Sequence, residues 1–451
     1  MLPEHVTLIR CPNFLLYDEK LETPLGILYL ATALEKHGIL VDVADLAGLT
    51  PDQWDAVVPK DSTIYGVSAT SGDWPVAQAI GRWLRKNRGQ GTRVIGGAHA
   101  TVMAESALMT SDYEVAVIGE GEHTFTDYCR GIIGPGLVMR VNGHVHKTGK
   151  RGLAENIDCF DFPAWHLLDK ESVVSTHLVS KGKRASCITA SRGCFMHCSF
   201  CDQTVNDWKW RRRSANSIDE EVDRLVGQYG VEEIRLVDEF ISPKDDFLRD
   251  VCDVMAKHAI IWRTHIRADL LTMELAQKLA KSGCVELAFG VESGDQRILD
   301  HNRKGTKIAD CERAIALAGA EGIRTKAYLI VGLPGETPES VQATRDFLLR
   351  VKPDKATVST FAPYPGCDVA KRPEKYDYIL DDPDYTRYWC LGLEDTDLLP
   401  PGHTSAMSGD ELLTVRKDLI KMVFDLGMRH PETRDTNTLL RKRNETINYD
   451  A

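Results

Sequence analysis

Short apolar runs alternate with amphipathic stretches over residues 1–133. Five β-rich runs each end near glycine or a polar loop, at 6–10, 41–46, 63–69, 92–97 and 113–119. Stretches such as 24–38 and 74–87 lie between them and show the period of an amphipathic helix. Strands that alternate with helices predict a doubly wound parallel sheet, with its ligand crevice beyond the carboxyl ends of the strands.

The rhythm breaks over residues 134–184, which we interpret as a linker that lies against both neighbours. Within it, 138–147 has the pattern of a β-hairpin, with Asn142 and Gly143 as its turn.

A second series of strands and helices covers residues 185–366. Its six predicted strands are 186–190, 233–237, 260–266, 285–291, 324–331 and 355–361. Six units fall short of the eight in a closed barrel, so we expect a partial (β/α)6 barrel that is open on one side. Ser217 and Glu220 have the spacing of a capping box for its first helix.

The carboxyl-terminal region, 367–451, is less regular and mainly helical. Its helix signal lies at 409–427, and a charged tail that we expect to be frayed follows. The tyrosine-rich segment 376–392 is interpreted as a roof over the active site that holds the substrate specificity.

Composition narrows the functional classes. The chain of 451 residues has a formal net charge of -11, which argues against broad nucleic-acid binding. Segment 208–213, "WKWRRR", is a local exception: it fits nucleobase or phosphate contact, or a loop whose arginines pair with carboxylates. With no apolar run near the length of a spanning helix and no signal-peptide pattern, we expect a soluble, cytoplasmic protein without a membrane partner.

Three of the 12 cysteines form a cluster, Cys194, Cys198 and Cys201, spaced C-x3-C-x2-C. Three thiolates on the loop after the first barrel strand suit a 4Fe-4S cluster with one iron left open for another molecule. A structural zinc ion would want a fourth ligand, and His197 lies inside the loop, where its reach is poor.

This loop, "CFMHCSFC", resembles the signature of the radical S-adenosylmethionine (radical SAM) superfamily. The resemblance implies that S-adenosylmethionine (SAM) chelates the open iron and that Phe200 packs on the adenine. It also implies the chemistry: one-electron reduction of the sulfonium gives methionine and a 5'-deoxyadenosyl radical that abstracts hydrogen.

Further segments resemble the SAM-binding parts of that superfamily: 235–239, 287–299, 303–305, 327–337 and 358–366. The resemblance implies SAM contacts at Asp238, Glu239, Arg267, Glu292, Ser293 and Gly332. Other roles stay open, since Glu292 suits an ion pair, Arg267 a barrel cap and Gly332 a turn.

The first domain resembles the flavodoxin-like cobalamin-binding domain that precedes the barrel in one radical SAM subgroup. The likeness rests on 21–38, 96–101 and 117–125. It implies cobalamin contacts at Ser68, Thr70, Ser71, Trp74, Gly96, Gly97, His99, Gly119, Glu120 and Gly121. Because the D-x-H-x-x-G motif is missing, the implied cobalamin lacks a histidine lower ligand, and Trp74 either covers the corrin or packs on the sheet.

The combined reading is a cobalamin-dependent radical SAM methyltransferase that methylates an unactivated carbon by way of methylcobalamin. A non-methylating reaction, such as ring formation or rearrangement, stays open, with cobalamin as electron carrier or absent. Methylthiotransferases carry a second cysteine triad that the first domain lacks, and a non-catalytic cobalamin sensor leaves the three cysteines unexplained. The expected partners are a small-molecule or peptide substrate and an electron donor such as flavodoxin or ferredoxin.

Overall fold

The computed structural model describes residues 5–13, 19–20, 23–174, 180, 182–242, 246–381, 384–388, 397–428 and 436–449. The chain divides into two compact units. The first comprises Met1–Val173, Gln203–Asp207 and Asp435–Ala451, and the second Val174–Asp202 and Trp208–Arg434.

The first unit contains a seven-stranded sheet in the order β2-β1-β3-β4-β5-β6-β7. Its elements are β1 His5–Arg10, α1 Leu25–Glu35, β2 Leu40–Asp45, β3 Ile64–Ser68, α2 Trp74–Asn87, β4 Thr92–Gly96, α3 Gly97–Met109, β5 Val115–Val117, α4 Gly121–Cys129, β6 Leu137–Val141, β7 His144–Lys147 and α5 Lys170–Val173. The first five strands pair in parallel, which confirms the predicted doubly wound sheet.

The hairpin expected at 138–147 is present. It belongs to the sheet of the first unit, so this part of the predicted linker 134–184 is not a linker. Strand β6 pairs antiparallel with β5, and β7 pairs with β6, so part of 134–184 belongs to the sheet. The turn residues Asn142 and Gly143 both have positive φ, at 51° and 78°. Two such residues in succession give the type I′ turn that matches the twist of paired strands.

The second unit contains the predicted partial barrel. Its elements through the last barrel strand are β8 Ala185–Ile188, β9 Ser191–Arg192, β10 Arg211–Arg212, α6 Ala215–Tyr229, β11 Glu233–Leu236, α7 Phe247–Lys257, β12 Ile261–His265, α8 Met273–Lys281, β13 Cys284–Glu292, α9 Gln296–His301, α10 Ile308–Ala320, β14 Arg324–Val331, α11 Pro338–Val351 and β15 Lys355–Thr360. Six parallel strands follow the order β15-β14-β13-β12-β11-β8.

The first barrel helix begins one turn earlier than expected. Ser214 is the N-cap of α6, and its hydroxyl accepts the backbone N–H of Ser217. Ser217 itself lies inside the helix, where its hydroxyl accepts from Arg213. The predicted capping box at Ser217 is therefore wrong, because a serine three residues upstream offers the same chemistry.

The carboxyl-terminal region is divided between the two units. Its elements are α12 Asp368–Lys371, β16 Tyr378–Leu380, β17 Gly402–Thr404, α13 Gly409–Asp425 and α14 Thr436–Ile447. Helix α13 confirms the signal at 409–427, and the backbone N–H of Ala356 on β15 donates to Met428 after that helix, at 3.1 Å. The part of this region up to Arg434 therefore lies with the barrel strands in the second unit, and its role as a substrate-specificity cap stays a prediction.

The tail expected to fray contains α14, which belongs to the first unit. Arg82 of α2 donates to the carbonyl of Tyr449 at 2.9 Å, and Tyr449 packs against Trp54. Of the tyrosine-rich segment 376–392, residues 382–383 and 389–392 lie outside the described residues. Among the residues that are described, no helix combines the length and the apolar character needed to cross a membrane.

Candidate functional site

The three clustered cysteines lie on the long excursion between β9 and β10, which pair antiparallel. Cys198 is buried, whereas Cys194 and Cys201 are partly exposed. The backbone N–H of Met196 donates to the sulfur of Cys194 at 3.4 Å. Within the described ranges no three His, Cys, Asp or Glu side chains are gathered closely enough to hold one metal ion, so the thiols share a loop without forming a closed site.

Asn302 holds the centre of the cysteine loop in place. Its carbonyl accepts the backbone N–H of Ser199 at 2.9 Å, and its side-chain oxygen accepts the Ser199 hydroxyl at 2.9 Å. The side-chain nitrogen of Asn302 donates in turn to the carbonyls of Ile298 and Pro334. Asn302 was missed by sequence analysis, although it directly precedes the segment 303–305 that resembles the superfamily.

Asp238 holds the start of the same loop. This carboxyl group is buried and accepts the backbone N–H groups of Ala190 and Ser191 and the Ser191 hydroxyl. Burial raises the pKa of Asp238 to about 7, and the hydrogen bonds oppose that shift. Asp238 thus positions the backbone just before the cysteines, and the SAM contact expected at Asp238 stays a prediction.

Glu239, the next residue, is exposed and accepts the backbone N–H of Gly193 at 3.0 Å. Gly193 directly precedes Cys194. Of the two neighbouring carboxylates, Glu239 is therefore the one that lies beside the first cysteine and faces outward.

Glu292 ends β13 and forms an ion pair with Lys304 at 2.6 Å. Both side chains are about nine-tenths buried, at 10% and 11% exposure. Glu292 has φ of 65°, an unusual conformation for a residue with a side chain, and a bulge interrupts the pairing of β13 at this point. A Cβ on Gly290 would come within 2.4 Å of the Glu292 carboxylate, so a side chain at position 290 would displace the pair from this arrangement.

Arg267 also has partners within the barrel rim. Its guanidinium pairs with Asp269 at 3.0 Å and donates to the carbonyls of Lys304 and Gly305 at 3.0 and 3.3 Å. Arg267 therefore fixes the loop that carries Lys304, which favours the cap role that the sequence left open.

Ser293 and Gly332 occupy tight turns beyond β13 and β14. Ser293 is buried, and its hydroxyl accepts the backbone N–H of Asp295 at 3.2 Å. Gly332 has φ of 85° and donates its N–H to the buried carboxyl of Glu336. Burial raises the pKa of Glu336 to about 7.

Phe200 packs against an apolar cluster that includes Ile298, Leu333 and Phe361. Ile298, Leu333 and Phe361 come from the segments 287–299, 327–337 and 358–366, which resemble SAM-binding parts of the superfamily. The Lys304 ammonium lies 5.9 Å from the centroid of the Phe200 ring. The structure thus brings Phe200, the Glu292–Lys304 pair and the cysteine loop together.

The basic segment 208–213 supports the loop from within its own unit. The buried Arg213 forms an ion pair with Glu221 and donates to the carbonyl of Thr189 at 2.9 Å. Trp210 donates to the carbonyl of Phe240 at 3.0 Å. These contacts match the bridging-loop interpretation of the segment.

In the first unit, the residues predicted to contact cobalamin divide into a buried and an accessible group. His99, on α3, stacks on Trp74 with ring centroids 4.5 Å apart and bonds to the Ser71 hydroxyl at 3.0 Å. All three are buried, and burial lowers the pKa of His99 to about 4. The neutral imidazole therefore packs within the fold, and Trp74 begins α2 against it.

The glycines at the carboxyl ends of β4 and β5 have different surroundings: some leave no room for a side chain, and others border open space. A Cβ on Gly97 would lie 2.6 Å from the Ala69 carbonyl, and one on Gly121 would lie 3.0 Å from Leu30. Gly119, with φ of 77°, has open space at that point, and Gly96 has no neighbour closer than 3.9 Å. Ser68 and Glu120 are partly exposed and Thr70 is exposed, so the accessible group comprises Ser68, Thr70, Gly96, Gly119 and Glu120.

Protein-family models match segments of both units. Residues 188–348 match the model of the radical SAM superfamily, and residues 19–128 match that of the B12-binding domain. The chain belongs to the radical SAM enzymes that carry a B12-binding domain. Membership implies three cofactors: a 4Fe-4S cluster, SAM and cobalamin.

Several proteins resemble this radical SAM enzyme over most of its length. An uncharacterized methyltransferase of Pyrococcus horikoshii is 29% identical over 363 residues, 76% of each chain. Cytidylyl-2-hydroxyethylphosphonate methyltransferase of Streptomyces wedmorensis is 27% identical over 433 residues, 81% of this chain and 80% of that protein. An anaerobic magnesium-protoporphyrin IX monomethyl ester cyclase of Rubrivivax gelatinosus is 29% identical over 371 residues, 77% of this chain and 65% of that protein.

Among solved structures, the methyltransferase TsrM of Kitasatospora setae, with cobalamin and a 4Fe-4S cluster bound, has a TM-score of 0.71. The match covers 99% of both chains at 17% identity, a level that shows a shared fold.

The residues of the radical SAM unit fit an iron-sulfur cluster by their donor chemistry. Three thiols lie on one loop, and a backbone N–H already points at one sulfur, a contact of the kind that tunes such clusters. Burial raises the pKa of the Cys198 thiol, and the positive charges of Lys304 and Arg267 act against that shift. Cationic side chains beside the loop favour thiolates, which are the form that binds iron.

Proposed function

We propose that this radical SAM enzyme is a cobalamin-dependent methyltransferase that acts on a carbon atom of a small-molecule or peptide substrate. The observation that carries the proposal is the occurrence of a B12-binding domain and a radical SAM domain in one chain that resembles named methyltransferases over three quarters of its length. When bound, the cluster supplies the electron that cleaves SAM, and cobalamin supplies the methyl group.

Cys194, Cys198 and Cys201 are proposed to hold the cluster. Asn302 and Asp238 hold the backbone of this segment at Ser199 and Ser191 through the hydrogen bonds described above, which positions the loop that carries the thiols. Glu239 is proposed to bind the amino group of SAM, because its carboxylate lies beside the loop at Gly193.

The SAM nucleoside is proposed to lie between Phe200 and the turns at Ser293 and Gly332. Positive φ at Gly332 lets the backbone turn sharply there, which brings peptide groups close to a ligand. Glu292 and Arg267 act mainly by positioning. The ion pair with Lys304 and the hydrogen bonds to the Lys304 loop fix this side of the rim and exclude water from it.

Cobalamin is proposed to contact the accessible group Ser68, Thr70, Gly96, Gly119 and Glu120. Gly119 has the open space that a bulky ligand needs. Ser71, Trp74 and His99 support these residues from behind, while Gly97 and Gly121 allow the close packing of loops. A protein electron donor such as flavodoxin or ferredoxin is proposed to reduce the cluster.

A second candidate function is a non-methylating radical reaction. It is favoured by the likeness to a protein named as a cyclase, with 29% identity. The named substrates of the relatives, a cytidylyl phosphonate and a magnesium porphyrin ester, differ widely. Their names therefore do not converge on one substrate for this chain.

The two functions are separated by products formed from SAM without the substrate. Anaerobically reconstituted protein is offered hydroxocobalamin, reductant and SAM, and iron, cobalt and S-adenosylhomocysteine are measured. A methyltransferase is expected to retain about four iron and one cobalt per chain and to form S-adenosylhomocysteine as methyl groups pass to reduced cobalamin. Retention of iron and cobalt without S-adenosylhomocysteine would favour the non-methylating reaction.

A further inference from the structure

The barrel contains a set of charged side chains that the proposed cofactor sites do not use. We call Arg235, Arg263, Glu286, Lys326 and Lys355 the interior cluster. They lie on five consecutive strands of the barrel, from β11 to β15. Arg235 pairs in register with Arg263, Arg263 with Glu286, and Lys326 with Lys355. Four of the five are cations and one is a carboxylate.

The carboxylate of the interior cluster is already fully engaged. Glu286 is 2% exposed and forms ion pairs with Lys355 at 2.6 Å and Arg263 at 3.4 Å, through different oxygens. Lys355 and Arg263 hold the pKa of Glu286 below its usual range in spite of burial. Another acid on β11, Glu233, accepts the backbone N–H of Ser180 at 2.9 Å and lies at the amino end of that strand.

Lys326 differs from the other members because it lacks an acceptor. It is 8% exposed, and its ammonium lies 4.7 Å from the ring centroid of Tyr328. None of the residues that the structure describes accepts a hydrogen bond from the Lys326 ammonium. Burial and the cations Arg263, Arg235 and Lys355 lower its pKa to about 8, whereas Glu286 acts in the opposite direction.

Two further buried polar atoms near Lys326 have no hydrogen-bond partner within the described part of the chain. They are the Arg263 Nε and the Thr357 hydroxyl. Thr357 pairs in register with Tyr328, and Thr357 and Tyr328 lie two residues along their strands from Lys355 and Lys326. Alternate residues of a strand share a face, so these groups lie on the face that carries the interior cluster.

Such a cluster does not serve stability by itself. A buried cation without an acceptor costs free energy, and apolar residues of the same volume would pack the barrel better. Unpaired donors that surround an excess of positive charge are what a bound anion satisfies, and guanidinium groups suit oxyanions in particular.

We propose that the interior cluster binds an oxyanion, a carboxylate, phosphonate or phosphate group of the substrate, with Lys326 as its principal partner. The identification of the anion as part of a substrate rests on the proposed function, whereas the binding of an oxyanion does not. The site therefore restricts the substrate to an anionic molecule.

The position of the cluster suits a substrate that reaches the reactive side of the barrel. Lys326 is in register with Ala288, which is in register with His265, the last residue of β12. Arg263 lies two residues before that end, or roughly 7 Å along the strand. On this side of the barrel an anion held between Lys326 and Arg263 thus lies within about two residues of the end of β12, and the rest of the substrate extends toward the rim.

The test uses inorganic phosphate, methylphosphonate and acetate as probes on the cofactor-reconstituted protein, with sodium chloride added to match ionic strength. Thermal unfolding is compared for the wild type, Lys326→Met and Lys326→Gln. Lys257→Met is the control, because Lys257 lies on α7 of the same unit with its ammonium at the surface, paired with Asp219.

At least one organic probe, methylphosphonate or acetate, is expected to raise the unfolding temperature of the wild type and of Lys257→Met. Both Lys326 variants are expected to bind it at least tenfold more weakly, while they unfold at the same temperature as the wild type or higher when no probe is present. That second result separates ligand binding from a structural role, because loss of a stabilising cation–π contact would lower the unfolding temperature instead.

Three results would overturn the proposal. The first is that no probe stabilises the wild type, and the second is equal stabilisation of the wild type and the Lys326 variants. The third is stabilisation by inorganic phosphate alone, which would identify a free ion instead of a substrate group. None of these outcomes depends on S-adenosylhomocysteine formation, so a failure of the methyltransferase proposal is seen separately.

Discussion

Charged side chains are paired differently at the carboxyl-terminal rim of the barrel and in its interior. At the rim each has an oppositely charged or hydrogen-bonding partner, whereas in the interior cations outnumber carboxylates. At the rim, Glu292 pairs with Lys304, Arg267 pairs with Asp269, and Asp238 accepts hydrogen bonds from the cysteine loop. In the interior cluster, one carboxylate faces four cations, and Lys326 has an aromatic ring as its neighbour.

This difference separates charged groups that stabilise the fold from charged groups that are proposed to bind a ligand. Charges that satisfy each other fix loops and turns, so their removal is expected to disturb the fold. A buried charge without a hydrogen-bond acceptor carries a desolvation cost that no direct partner offsets until an anion binds, so its removal is expected to leave the fold intact. The variants below test that distinction.

The largest effect on stability is expected when the Glu292–Lys304 pair at the rim is broken. Lys304→Met leaves the Glu292 carboxylate buried without its partner, which costs about 3–5 kcal/mol for a pair of this kind. Urea-induced unfolding followed by circular dichroism measures the change. Lys281→Met, at an exposed position of α8, is the matched control, and a loss at Lys304 no greater than in this control would refute the pairing.

The next effect depends on pH and involves Glu336, a rim residue that accepts a hydrogen bond from Gly332. Its pKa is raised to about 7 in the fold, so the protonated form stabilises the protein and this contribution disappears as the pH rises through 7. Glu336→Gln is therefore expected to gain roughly 2–3 kcal/mol relative to the wild type between pH 5 and pH 8. Urea unfolding at both values measures it, and a difference that does not change with pH would contradict the assignment.

Two lysines of the interior cluster, Lys355 and Lys326, can be compared directly, because one has a carboxylate partner and the other has none among the described residues. Lys355→Met leaves Glu286 with Arg263 as its remaining ion-pair partner and is expected to cost about 2 kcal/mol. Lys326→Met is expected to cost nothing, although both substitutions remove one lysine ammonium from neighbouring strands. Equal losses measured by urea unfolding would mean that Lys326 is held by the fold in the same way as Lys355.

The smallest effect is expected outside both regions, at the first turn of α6. Ser214→Ala removes the N-cap and should cost about 1 kcal/mol. Glu220→Ala, at the exposed position once expected to complete a capping box, should change the free energy of unfolding by less than about 0.5 kcal/mol. A larger loss of unfolding free energy for Glu220→Ala than for Ser214→Ala would instead support a capping box formed by Ser217 and Glu220.

Sequence reasoning predicted the two sheets because strand and helix periods are local properties of the chain. It also placed the three cysteines and Glu292 at the ends of strands, where a parallel sheet gathers functional groups. The hairpin was expected, but its pairing with β5 depends on a neighbour that local patterns do not reveal.

The partners of the site residues were less accessible to sequence reasoning. Asp238 was expected to contact SAM, and nothing in its own segment shows that Ala190 and Ser191 also donate to it. The pairing of Glu292 with Lys304 and the clamp formed by Asn302 and Ser199 depend on loops from different parts of the chain. The same limit applies to the interior cluster, whose members are separated by up to 120 residues from Arg235 to Lys355.

Cleavage of SAM by matched wild-type and Cys198→Ala protein tests the central claim most directly. Both proteins are reconstituted anaerobically with iron, sulfide and hydroxocobalamin, and 5'-deoxyadenosine is measured after reductant and SAM are added. The wild type is expected to form 5'-deoxyadenosine, and Cys198→Ala is expected to form none and to lack the visible absorbance of the cluster while it retains cobalt. SAM cleavage by Cys198→Ala with an intact cluster would contradict the assignment of this loop as the radical SAM centre.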